Sequence, residues 1–123
     1  MSSNIGYYER QISYLSSERR RYVNLKNSLS SSVIPALKKP SDNLDDAIKG
    51  INKYFTVDFK SVDKESFKNN KEKIDSIILT INSSVIPAIN SEISKIDSSI
   101  DYYEYLIELE SEEEEEIDDK NES

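Results

Sequence analysis

The chain has 123 residues, 36% hydrophobic and 33% charged, with a net charge of −8 and no cysteine, histidine or tryptophan. Those absences exclude disulfides, zinc sites built on thiolate or imidazole, and histidine-based acid–base or nucleophilic catalysis. So little apolar material suits an elongated bundle with one apolar stripe per helix, and two glycines with three prolines leave few turns for a sheet.

From Ile5 to about Leu29, the apolar residues Ile5, Tyr8, Ile12, Leu15, Tyr22, Leu25 and Leu29 recur in steps of three, four and seven, which predicts a helix. Ser3 or Asn4 is placed to cap it. Arg19 takes the missing stripe position, its stem along the seam and its head in water. The Arg19–Arg21 cluster after Glu18 reads as a solvated face.

Ser31-Ser32-Val33-Ile34-Pro35-Ala36 returns letter for letter as Ser83-Ser84-Val85-Ile86-Pro87-Ala88, with the two prolines equally far on either side of residue 61. A chain folding back near residue 61 brings the prolines to one level of an antiparallel hairpin. Proline in a helix removes a donor and presses on the preceding turn, costing ~3 kcal/mol. Pro35 and Pro87 therefore either kink continuous arms or sit in the first turn of helices restarted on Ser32 and Ser84.

Lys38-Lys39-Pro40 is expected to end a helical piece, because the residue before proline is pushed out of the α region. A helix over about 42–55 follows, capped by Ser41 or Asp42, with Leu44, Ala47, Ile48, Ile51 and Phe55 as its stripe and Gly50 marking a close helix approach. The reversal is placed at 56–66, with Val57, Phe59 and Val62 closing the hairpin tip. Asp63 or Ser66 caps the last helix, whose stripe runs from Phe67 through Ile74, Ile78, Ile81, Val85, Ile89, Ile93, Ile96, Ile100 and Tyr103 to Ile107, with Ile77 and Ile86 widening it.

Residues 104–123 hold 11 of the 24 acids and one base, Lys120, so the remainder is nearly neutral. That balance repels nucleic acid. The divisions expected are one helical hairpin domain over 1–110 and an acidic, disordered tail over 111–123. Tyr7, Tyr8, Tyr102, Tyr103 and Tyr105 should gather at the open end, as packing or as binding anchors. No apolar run long enough for a secretory signal or membrane span occurs, so a cytoplasmic protein is expected, with export together with a partner, by a route that recognises folded helices, left open.

An all-helical chain of this length, with two long arms, a central reversal, no cysteine and a polar tail, resembles the small helical hairpin proteins of type VII secretion systems in Gram-positive bacteria. The likeness is nearest to the accessory proteins encoded beside LXG-domain toxins, and covers roughly residues 5–110. It implies a non-enzymatic adaptor that binds the toxin's helical N-terminal region, with a second small helical protein as a further partner, and uses no cofactor or metal. The chain departs from the family in having no Trp-x-Gly turn and no Tyr-x-x-x-Asp/Glu signal after the second arm. Matching quartets lie instead at Tyr14–Glu18 and Tyr54–Asp58, with a related Phe59–Asp63.

The arms' apolar stripes are too long to satisfy each other on every face, which makes Tyr8, Ile12, Leu15, Tyr22, Ile34, Ile77, Ile86, Ile93 and Tyr103 the expected partner-binding residues. Two other readings fit the same residues. The concentrated negative charge suits an immunity protein that inhibits a basic toxin site, and the long stripes suit a self-associating coiled coil.

Overall fold

The structure is a computed structural model that describes the backbone of residues 3–54 and 61–122 and the side chains of 3–50 and 65–113. Helix α1 (Ile5–Ser28) runs into a π-helical turn at Leu29–Val33 and then α2 (Ile34–Tyr54). Helix α3 (Ser61–Thr80) runs into a second π-helical turn at Ile81–Val85 and then α4 (Ile86–Glu122). No strand occurs among the described residues, and the architecture is an all-α antiparallel helical hairpin.

The chain divides into two compact units, Met1–Asn24 with Ile89–Ser123, and Leu25–Ala88. In the first unit α1 and α4 pair antiparallel, since Asn4 meets Glu110, Tyr8 meets Tyr103 and Arg19 meets Asp97. In the second, α2 packs on α3. A pair of helices has one seam, open along both edges, so even its stripe residues stay partly wet. Accordingly, among the described residues, only Ile81, Ile89 and Ile96 are buried apolar residues, and no side chain is completely enclosed.

The duplicated segments explain the π-helical turns. Pro35 has no N–H, and its ring presses on the carbonyl four residues back. The Ile34 N–H instead reaches five residues back to the Leu29 carbonyl, and Ile86 does the same to Ile81, which widens the turn before each proline. Ser31 and Ser83 repeat one further bond, each hydroxyl donating to the carbonyl four residues earlier, Asn27 and Leu79, at 2.6 Å. Ser32 and Ser84 therefore start no helices. Helical backbone continues through both sites.

Register within the second unit comes from Ser41, whose hydroxyl donates to Asp75 at 2.5 Å. Counting ten residues back from Ser41 and ten on from Asp75 sets Ser31 opposite Val85, so the two π-helical turns share a level. The same count sets Pro35 opposite Ile81 and Pro87 opposite Leu29. Each proline thus faces the other arm's π-helical turn, about 9 Å along the axis from the other proline at 1.5 Å per residue. The expected proline-to-proline match assumed a reversal centred on Ser61, whereas the midpoint of this pair falls three residues earlier.

Four further expectations are corrected. Ser61–Ser66 belongs to α3 rather than to the reversal, so Asp63 and Ser66 lie inside a helix. Pro40 does not end a helix but lies within α2, where packing on α3 offsets the missing donor. Gly50 marks no close approach, because a Cβ built there meets nothing within 4 Å. The acidic segment expected to be disordered carries helical backbone as far as Glu122. Glutamate is a good helix former, and α4 is already nucleated upstream. The hairpin-tip residues Val57 and Phe59, and Phe55 with them, lie outside the described residues, as do the side chains of Ile51 and Val62.

Gly50 gives the first testable consequence. With open space around it, Gly50→Ala is expected to stabilise the fold by about 1 kcal/mol through helix propensity alone. An urea midpoint that rises with an unchanged slope checks it.

Candidate partner-binding face

In the first unit the seam is aromatic at one end. Asn4 accepts the Tyr8 N–H and so starts α1, while its own N–H donates to Glu110 at 2.8 Å, tying the helix start to the opposite arm. The Tyr8 hydroxyl donates to the other Glu110 oxygen at 3.4 Å. Burial first, and the Glu110 carboxylate second, push the Tyr8 phenol above its ordinary value. Ring centroids then run Tyr7 to Tyr8 at 5.9 Å, Tyr8 to Tyr103 at 5.9 Å and Tyr103 to Tyr102 at 5.8 Å, a continuous row across both arms.

Further along, Arg19 Nε donates to Asp97 at 2.8 Å. The stripe position that sequence assigned to an arginine stem is thus a pair between arms. With both partners about half exposed it is worth at most about 1 kcal/mol.

In the second unit, Ser41 is the one buried polar residue among those described, and its partner Asp75 also accepts from Lys71 at 2.6 Å. The Lys71 ammonium first, and the Ser41 hydroxyl second, hold the Asp75 carboxyl below the usual aspartate range. A depressed carboxyl stabilises above its ordinary pKa and ceases to as pH falls through the lower folded value. Stability is therefore expected to drop below about pH 4, and Asp75→Asn to remove that part of the acid dependence. Urea midpoints at neutral and acid pH check both.

The expected binding residues divide between the units. Tyr8, Ile12, Leu15, Tyr22, Ile93 and Tyr103 are in the first, all half-buried in or beside the seam. Ile34 and Ile86 in the second are likewise half-buried, whereas Ile77 is 49% exposed, close in sequence to Leu79 at 66%. Most of these side chains are therefore partly occupied by the hairpin's own packing, and Ile77 is the one that is free. A shallow trough lined by Asn69, Glu72, Lys73, Ser76 and Ile77 lies along α3.

A second stripe on α4 is formed by Tyr102 and Tyr105, two of the tyrosines expected as packing or anchors, and by Leu109, which sequence reasoning passed over; they are 58%, 56% and 37% exposed. Their spacing of three and four was the available signal. Beside it, Asp101, Glu104, Glu108, Glu112 and Glu113 are exposed and form no ion pair with any described residue. No group of three or more His, Cys, Asp or Glu residues is placed to hold a metal among the described residues. What the described surface presents is apolar helix faces bordered by charge.

No protein-family model, curated protein or solved structure matches the chain. No described helix is long and apolar enough to cross a membrane.

Proposed function

We propose that the protein is a non-enzymatic helical adaptor that binds the helical N-terminal region of an LXG-type toxin of a type VII secretion system and assists its export. In this role it acts in the cytoplasm, pairs side by side with the toxin, and leaves with it. The carrying observation is the contrast, among the described residues, between the few buried apolar side chains, Ile81, Ile89 and Ile96, and the large apolar side chains left exposed, Ile77, Leu79, Tyr102 and Tyr105 among them. Helices that cannot cover each other's apolar surface favour a further helix, which removes that surface from water at about 25 cal/mol per Å².

Co-expression with a helical toxin encoded beside it, followed by affinity capture, tests the reading. A stable complex containing the toxin's N-terminal region is expected. A chain that remains monomeric and captures no toxin contradicts it. Removing residues 111–123 distinguishes helix pairing, which survives, from the inhibition by charge expected of an immunity protein, which does not.

A further inference from the structure

We infer that the Tyr102–Tyr105–Leu109 stripe of α4 is a docking surface for an amphipathic helix whose apolar seam is bordered by lysine or arginine. This deepens the adaptor reading and rests on it, by naming the face used and the chemistry of the partner.

Helix α4 has two apolar stripes. One, through Ile89, Ile96 and Tyr103, is turned into the hairpin, where Ile89 and Ile96 are buried and Tyr103 stacks on Tyr8. The other recurs at 102, 105 and 109, the spacing of one helix face, and is open to solvent. Tyrosine rings at such spacing are anchors for a facing helix, because each presents large, stiff apolar area and a hydroxyl that stays wet at the rim.

Charge selects the occupant. Asp101, Glu108 and Glu112 are seven and four residues apart and so form a column along the stripe's edge, unpaired with any described cation. A facing helix with Lys or Arg beside its apolar seam would neutralise that column, as flanking charges do in coiled coils, and would set cations against the tyrosine faces. A second copy docking by the same face would oppose carboxylates to carboxylates, and an anionic lipid surface would be repelled.

The test uses the full-length chain and two labelled synthetic amphipathic peptides, each with leucine at the seam. One carries lysine and the other glutamate at the flanking positions, so that each stays monomeric by its own repulsion. Fluorescence anisotropy should show the lysine peptide binding at least about tenfold more tightly than the glutamate peptide, with affinity falling steeply as salt is raised. Asp101→Lys with Glu108→Lys and Glu112→Lys should reverse the preference. Tyr102→Ser with Tyr105→Ser should weaken the lysine peptide by about tenfold or more at unchanged helical circular dichroism.

Equal binding of both peptides, no binding, indifference to the charge reversal, or self-association through this face would each overturn the inference. Should the reversed chain fail to fold, Glu108→Gln with Glu112→Gln and the salt series on the unaltered chain decide the matter. A toxin region held equally by the unaltered and charge-reversed chains would reject this face and leave the adaptor role standing. Failure of the unaltered chain to bind toxin rejects the role itself, while the peptides still report on the face.

Discussion

Ile89→Asp is expected to unfold the unit that α1 and α4 form, while Ile77→Asp should leave stability within about 0.5 kcal/mol of the parent. Both replace isoleucine by aspartate on the same arm, so intrinsic propensity nearly cancels and the difference reports what covers each side chain. Ile89 is buried, and Ile77 is half exposed on α3. An unpaired carboxylate at Ile89 costs about 3–5 kcal/mol, on top of the lost apolar burial. A small unit whose buried apolar residues, among those described, are Ile89 and Ile96 does not have much more than that in reserve. Loss of the helical signal at 222 nm, or a urea midpoint near zero, checks the first variant. A superimposable melt checks the second.

The second large effect has the opposite sign. Pro40→Ala is expected to stabilise the protein by about 2 kcal/mol, since proline inside a helix costs ~3 kcal/mol and alanine returns ~1 kcal/mol of freedom to the unfolded chain. Pro40 sits within α2, leaving the Ala36 carbonyl without its usual donor. Pro35→Ala should gain less, because the π-helical turn ahead of it has already redirected the Ile34 N–H to Leu29. Thermal melts of the two variants side by side would show the ranking, with Pro40→Ala raised by roughly 5–10 °C.

The helices and their seam were readable from spacing, because Ile89, Ile96 and Tyr103 fall at the period of one helix face and the chain offers no competing strand pattern. Pro40 misled because local backbone preference was weighed without the packing of α2 on α3, which the sequence of α2 alone does not display. The π-helical turns were missed for a related reason. A clash between a proline ring and a carbonyl can be relieved by a break, a kink or a widened turn, and only the hydrogen bonds from Ile34 and Ile86 distinguish them.

For the candidate face, the sequence marked a surplus of apolar residues but chose mostly those of the seam. Tyr8 and Tyr103 were selected, and each spends one ring face on the other. Tyr102 and Tyr105 were named as packing or anchors without a choice between the two, and Leu109 joins them in one open stripe only once the seam has been assigned. Asp101, Glu104, Glu108, Glu112 and Glu113 likewise read as mere solubility until the ion pairs among the described residues show none of them engaged.

The central claim is that apolar helix surface left open by the hairpin is covered by another helical protein. Titration calorimetry of the 123-residue chain with the N-terminal helical region of an LXG-type toxin, the partner proposed above, repeated at several temperatures, tests it most directly. One-to-one binding whose heat becomes more exothermic on warming, the negative heat-capacity change of apolar burial, is the predicted result. Absence of binding, or binding whose heat is independent of temperature, would contradict it.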